Sequence, residues 1–405
     1  MSPRPVPPDL LQELILETRS KIVLFVVDGL GGLPDPKSGR TELESAGTPN
    51  LDALAAGSIC GLSEPVGAGI APGSGPGHLA LFGYDPIASL VGRGILSALG
   101  VDFPLEPSDV AARINFATID AAGNVSDRRA GRISTETNRR LVEKLGRVQL
   151  PGLRVFLETE SEHRAVAVFR AEGLSDRLGD SDPQQTGVPP HPIAPHEPGA
   201  AATAELINRW VAAAGEALAD EHPANMVLLR GFAKHPDLGT FEQRYKLKAG
   251  AVAVYPMYRG LARLVGMDVL ATGKTLADEL ATVRERWNDY TYFYVHLKAA
   301  DAAGEDGDFA RKVAVLEEVD ARIGALVELE PDCLVVTGDH ATPALLKQHS
   351  WHPVPFLLRS RWEVPDEVQT FGERACARGA LGTFPAQAAM QLMLAASLKL
   401  TKYGA

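Results

Sequence analysis

KIVLFVVDGLGG, residues 21–32, decides the fold. Ile22 to Val27 are apolar without a break, the pattern of a central parallel strand buried on both faces. The run stops at Asp28-Gly29, so a carboxylate stands at the carboxyl end of the strand, where open α/β sheets bind ligands. The same arrangement recurs downstream. Asp301 and Glu305 follow the apolar run Tyr292–Leu297, Asp339 and His340 follow Cys333–Val336, and His349 and His352 stand just ahead of Val354–Leu358. One aspartate after a strand is usually a helix cap, and one histidine a satisfied core residue. Four such positions at corresponding sheet ends are harder to explain as caps.

A second stretch supplies a nucleophile. In APGSGPGHLALFGYDP, residues 71–86, a serine sits among glycines and prolines ahead of a short apolar run. Pro72 to Gly77 read as a tight turn that delivers Ser74 to the start of a helix over His78–Tyr84. A helix N-terminus carries partial positive charge and favours an anion such as phosphate. Taken alone, the stretch reads as a glycine-rich turn with an exposed serine; the carboxylates and imidazoles change that reading. Together they suit Mn²⁺, Zn²⁺, Co²⁺ or Mg²⁺, and the absence of nearby cysteines disfavours a structural zinc site. Seven candidate ligands are too many for one ion, and two metals stabilise the entering and leaving oxygens of an in-line phosphoryl transfer. A metal-bound Ser74 would lose its proton readily and act as nucleophile.

With 405 residues the chain is expected to form two domains. Its net charge of −11 argues against nucleic-acid partners. Any phosphate must therefore be held by metal ions or by a local cluster of Arg and Lys. Such clusters occur in the middle of the chain, at Asp127 to Arg132 (DRRAGR) and at His163-Arg164. There the alternation of strand and helix gives way to short strands, a proline-rich connection from Asp182 to Pro198, and a helix over Ala201–Ala219. Cys60, Cys333 and Cys376 show no CxxC spacing and suit a reducing compartment. No apolar run reaches the length of about 18 residues that spans a bilayer, and the N-terminus lacks the apolar core of a signal peptide. The expectation is a soluble cytoplasmic protein with no membrane partner.

VVDGLGG, TPNLDALA, the serine turn ending HLALFGYDP, DRRAGR, HRAVAVFRAEGLSDR, DSDP, KLKAGAVAV, GLARLVGMDV, KAADAAGEDGD, TGDHATP and HSWHPVP occur in this order between about residues 21 and 358. As a set they resemble the archaeal-type branch of the cofactor-independent phosphoglycerate mutases, within the alkaline phosphatase superfamily. The resemblance implies an α/β, alkaline phosphatase-like, mostly parallel sheet sandwiched by helices, with an inserted α+β substrate-binding domain. Residues 1–109 and 246–405 would form the metal-binding part and 110–245 the insertion. It implies interconversion of 3-phosphoglycerate and 2-phosphoglycerate, in glycolysis and gluconeogenesis, with two divalent metals, manganese foremost, and no 2,3-bisphosphoglycerate.

Carried over by motif, Ser74 becomes a phosphoserine; Asp28, Ser74, Asp339 and His340 hold one metal, and Asp301, Glu305 and His349 the other. Arg128, Arg129, Arg132, His163, Arg164 and Arg263 match substrate-binding positions, with Arg230 and Lys248 as further candidates. Two departures stand out. Glu305 occupies the histidine position of the family's Asp-x-x-x-His motif, which would favour a harder ion such as Mn²⁺ or Mg²⁺. Gly75-Pro76-Gly77 stands where relatives carry bulkier polar residues. His352 reads as a neighbour of the ligands. The competing readings are a homoserine kinase-like phosphotransferase, a phosphatase or phosphonate hydrolase using the same serine, and a non-catalytic binding protein on a degenerate phosphatase scaffold. A homo-oligomer is compatible with all of them.

Overall fold

A computed structural model of the chain describes residues 3–89, 91–236 and 238–404. Its strands, in chain order, are β1 (Ile22–Val27), β2 (Ile59–Glu64), β3 (Val110–Ile119), β4 (Val125–Asp127), β5 (Arg154–Ser161), β6 (Arg164–Arg170), β7 (Met226–Ala233), β8 (Ala249–Ala253), β9 (Asp268–Val269), β10 (Tyr292–Leu297), β11 (Cys333–Thr337), β12 (Val354–Arg359) and β13 (Gly382–Pro385). They form two sheets in two compact units. One unit gathers the described residues within 1–90, 238–255 and 265–405; the other gathers those within 91–237 and 256–264.

In the larger unit β1 is buried along its whole length, as its unbroken apolar run requires. The eight-stranded sheet has the order β13-β2-β12-β11-β1-β10-β8-β9. β1 pairs in parallel with β10 and β11, and β8 in parallel with β10 and β9. β12 runs antiparallel to β11 and to β2. A parallel return needs a long crossover, usually a helix, and residues 338–353 contain none, so the chain comes back antiparallel. The fold is mixed α/β with a parallel-rich sheet.

Alternate residues of the central strands face opposite helices. Val23, Phe25, Val27, Phe293, Val295, Leu334 and Val336 share a core with Leu316, Val319, Ile323 and Leu326 of the helix Phe309–Val327. Each of these side chains contributes about 1.5–3 kcal/mol by leaving water. On the other face, Tyr294 meets His78 and Phe82 edge-on, and the His296 ring lies tilted against His78 with centroids 5.2 Å apart. That face is covered by the helix Ser74–Leu81. Here the structure corrects the sequence reading: the helix opens at Ser74, not at His78. Gly75, Pro76 and Gly77 form its first turn, where the N–H that proline lacks has no intrahelical partner to lose.

The smaller unit is α+β. β3 pairs antiparallel with β4, β6 and β7, and β6 with β5. Ala112, Ile114, Phe116, Ala167 and Phe169 pack on the helices Thr135–Leu145 and Ala201–Leu218, with Trp210 fully enclosed. Its bounds differ from the expected 110–245. The helix Arg93–Gly100 and the helix Pro256–Leu264 pack on one another, at Gly260 close enough that a Cβ would stand 2.2 Å from the Leu96 carbonyl, and both belong to this unit. The connection 182–198 is irregular, tied by the Leu178–Pro195 bridge and by His191 N–H to Ser181 O.

The helix Leu276–Glu285 buries Glu279 beside Leu276, Leu280 and Val283, and its Oε2 has no hydrogen-bond partner among the described residues. Burial, then the neighbouring Asp278, push the Glu279 carboxyl up to about 8. A raised carboxyl pKa stabilises the fold below the unfolded value and loses that contribution as pH rises through the folded one. Wild-type stability should therefore fall from about pH 4.5 to pH 8 relative to Glu279→Gln. Denaturant unfolding should show the variant ahead by on the order of 2–4 kcal/mol at pH 8 and level at pH 4.5. Parallel pH profiles for the two proteins would refute this.

Candidate active site

Strand register assembles the site. Val26 lies opposite His296 and Thr337, and Val27 opposite Leu297. The residues that follow are thereby brought together at one sheet edge: Asp28, Lys298 and Asp339-His340. Two glycines permit the crowding. Gly29 has φ +70°, and a Cβ there would stand 2.7 Å from Thr342 Oγ1 and 2.8 Å from Asp301 Cα. A Cβ on Gly77 would stand 2.3 Å from the Asp339 carbonyl oxygen, so only glycine lets the Ser74 helix approach this turn.

Two groups of ligand-type atoms result, each within 4.8 Å: Asp28, Asp339 and His340, all buried, and Asp301, His340 and His349. His340 belongs to both. Ser74 Oγ lies 3.1 Å from His340 Nε2. On the other side of that ring, Nδ1 is 2.9 Å from Thr342 Oγ1, and this hydroxyl donates its proton to Asp301 Oδ1 at 2.6 Å. The oxygen therefore accepts from Nδ1–H, which leaves the Nε2 lone pair facing Ser74, Asp28 at 3.4 Å and Asp339 at 3.1 Å. His349 is oriented likewise. Its Nδ1–H donates to the Pro72 carbonyl at 2.9 Å, and Nε2 faces Asp301 Oδ1 at 3.5 Å. The His340 and His349 rings stack with centroids 3.7 Å apart. Three buried carboxylates surrounding imidazole lone pairs would be costly without a cation, and the oxygen and nitrogen donors fit divalent metals.

The charge states agree. Burial alone would raise Asp28, but Lys298 Nζ at 3.3 Å, His296 Nε2 at 3.2 Å and His340 hold it well below the usual carboxylate range. Burial, then the Asp28 charge, push Asp339 up to about 6. Burial holds His340 well below its ordinary value, so its ring is neutral and ready to ligate.

Four neighbours escaped the sequence reading. His78 Nδ1 lies 2.8 Å from the Ser74 carbonyl and 3.1 Å from Asp339 Oδ2. Its position one helical turn after Ser74 was a usable signal. His296, inside β10, bonds Asp28, and Thr342 links His340 to Asp301. Lys298 pairs with both Asp28 and Asp301. Glu305 sits at the rim, 54% exposed, with Oε1 3.8 Å from His349 Nε2, and belongs to neither group. His352 bonds Ser350 Oγ at 3.0 Å and stacks on Trp351.

In the smaller unit the basic positions divide. Arg128 grips Asp182 with two hydrogen bonds of 2.7 and 2.8 Å, and Arg230 Nη1 approaches the same carboxylate at 3.5 Å. His163 is buried; that burial, followed by the charges of Arg164, Arg129 and Arg132, holds it down to about 4, so its ring is neutral. Arg93, absent from the sequence reading, lies within electrostatic reach of Arg230, Arg113 and Arg164. Arg263 does not join them: it donates to the Leu99 carbonyl at 2.8 Å and pairs with Asp102. Lys248, in the larger unit, is a correction. It precedes β8, which runs parallel to β10, so it lies at the sheet edge opposite Asp28, with its Nζ over the Tyr290 ring.

The sequence model of the 2,3-bisphosphoglycerate-independent phosphoglycerate mutases matches residues 55–225. A probable 2,3-bisphosphoglycerate-independent phosphoglycerate mutase of Aquifex aeolicus is 49% identical over 407 residues, covering 98% of this chain and all of that protein. A protein of Deinococcus radiodurans with the same description is 51% identical over 406 residues, covering 98% and 99%. Among solved structures, the PH0037 protein from Pyrococcus horikoshii superposes with a TM-score of 0.82 at 29% identity, covering 95% of this chain and 99% of that one. The cofactor-independent phosphoglycerate mutase from Thermoplasma acidophilum follows with a TM-score of 0.70 at 29% identity, covering 93% and 100%. With half of its residues shared along nearly the whole of such relatives, this chain belongs to the 2,3-bisphosphoglycerate-independent phosphoglycerate mutase family.

Proposed function

We infer that the protein interconverts 3-phosphoglycerate and 2-phosphoglycerate without 2,3-bisphosphoglycerate, through a phosphoserine on Ser74. The observation that carries this reading is the placement of Ser74 Oγ at the first turn of its helix, 3.1 Å from His340, the residue common to both candidate metal groups. Asp28, Asp339 and His340 would hold one divalent ion together with Ser74, and Asp301 and His349 the other, with Glu305 reaching it from the rim. Such ions lower the pKa of a bound hydroxyl and neutralise phosphoryl oxygens, and manganese or magnesium suits this oxygen-rich donor set.

In this reading Ser74 Oγ loses its proton and attacks the phosphorus of 3-phosphoglycerate, the bond from phosphorus to the 3-oxygen breaks, and that oxygen takes up a proton to become the 3-hydroxyl of glycerate. The helix N-terminus favours the dianionic phosphoserine that results. Glycerate stays bound while it reorients; its 2-hydroxyl then loses its proton and attacks phosphorus, the bond from phosphorus to Ser74 Oγ breaks, and the serine oxygen regains a proton. Retention falls to the inserted part, 110–245 in the sequence reading, where Arg128, Arg129, Arg132, Arg164 and Arg230 offer planar, bidentate partners to carboxylate and phosphate. The candidate metal ligands fall in the unit made of the described residues within 1–90, 238–255 and 265–405, where the sequence reading expected 1–109 with 246–405. Among the described residues no helix is long and apolar enough to cross a membrane.

An enolase-coupled assay on metal-depleted protein, with 3-phosphoglycerate and no 2,3-bisphosphoglycerate, tests the reading. Adding Mn²⁺ should restore formation of 2-phosphoglycerate with no free phosphate; phosphate release in its place would indicate a phosphatase. Ser74→Ala should lower turnover by roughly 10⁴-fold or more while the melting temperature stays close to wild type. Persisting turnover in that variant would remove the phosphoserine. Arg132→Ala should raise KM roughly tenfold or release glycerate and phosphate as a leak. Unchanged kinetics without a leak would mark this arginine as a surface residue.

A further inference from the structure

The helix Phe309–Val327 carries a lysine, Lys312, with no exposed side-chain surface. A buried ammonium group persists only where its partners replace water. Here the partners are specific. Lys312 Nζ donates to the Gly31 carbonyl at 2.9 Å and to the Thr342 carbonyl at 2.9 Å, and Glu42 Oε1 lies 3.8 Å away.

Those two carbonyls belong to the two loops that carry the candidate ligands. Gly31 comes three residues after Asp28. Thr342 comes two residues after His340, and its hydroxyl is the link between His340 and Asp301. The loops run against one another: Thr342 N–H donates to Gly31 O at 3.1 Å, and a Cβ on Gly31 would stand 2.7 Å from Ala341 Cβ. Glu42, itself buried, accepts from Ala344 N–H at 2.7 Å. Glu373 accepts from Gly32 N–H at 2.9 Å and from the Thr41 hydroxyl at 2.6 Å. One buried cation and two carboxylates thus grip both loops from inside the core.

We propose that Lys312 is a positioning residue of the metal centre, setting the spacing of Asp28 from His340 and Asp301 through the Gly31 and Thr342 carbonyls. This rests on the reading of the two residue groups as metal ligands. A methionine would fill the same volume at lower cost but would leave the seam between the loops untied.

The test is Mn²⁺ binding by the full-length protein, followed by the loss of the free-ion electron paramagnetic resonance signal, in wild type, Lys312→Met and Leu316→Ala. Leu316 lies one turn further along the same helix, in the core, and serves as a destabilised control. Lys312→Met should raise the dissociation constant roughly 10–100-fold and shrink the melting-temperature rise given by Mn²⁺, while Leu316→Ala changes the constant by less than about twofold. If Lys312→Met does not fold, the double variant Lys312→Met with Glu42→Gln, which removes the carboxylate nearest Lys312 together with the cation, decides by the same criteria. Wild-type affinity in the lysine variant, or an equal loss in Leu316→Ala, overturns the positioning role alone. A wild-type protein that binds no Mn²⁺ overturns the metal-centre reading, and this inference with it.

Discussion

The parallel pairing of β1 with both β10 and β11 is the constraint on which the site depends. Strands that run the same way end at the same edge, so whatever follows each apolar run is delivered to one place. The register from Val26 to His296 and to Thr337 makes neighbours of residues that lie more than 250 positions apart in the chain. Side chains alternate along a strand, so a one-residue slip of β10 would turn His296 away from Asp28 and exchange core for site. Burial of both faces excludes that slip, since Val23, Phe25, Phe293 and Val295 must all stay in the same core.

Crowding carboxylates there creates an electrostatic problem that the surrounding residues answer individually. Asp28 keeps its charge because Lys298 and His296 donate to it, whereas Asp339 is pushed up by burial and by Asp28 itself. Thr342 and the Pro72 carbonyl orient the two imidazoles, and in each case the ring nitrogen facing the carboxylates is the one left without a proton. Orientation by the second partner is what converts a cluster of polar side chains into a donor set. The smaller unit solves a different problem. Its arginines would repel one another, and Asp182 offsets two of them while His163 stays neutral under the charges of three others.

Much of this was legible in the order of residues. An unbroken apolar run marked β1, the carboxylate after it marked the ligand-binding edge, and the repeated pattern at Asp301, Asp339 and His349 marked the same edge three more times. Other features were local and misread. Proline and glycine after Ser74 suggested a turn, yet proline is harmless in the first helical turn, and glycine at 77 answers a close approach that no local rule contains. Lys248 looked like its neighbours in the motif, but a residue before a parallel strand and a residue after it lie at opposite edges of the sheet.

The sequence by itself determined which residues could be buried strands, which end of each strand carried chemistry, and that a serine, carboxylates and imidazoles were available in phosphoryl-transfer combination. Those properties depend on composition and short-range periodicity. Only the tertiary structure decided that His340 is common to both groups, that Glu305 stays at the rim, that Arg263 pairs with Asp102, and that Lys312 grips two loops from inside. Each depends on distances between segments remote in the chain, and these are set by register and by the close packing of the core.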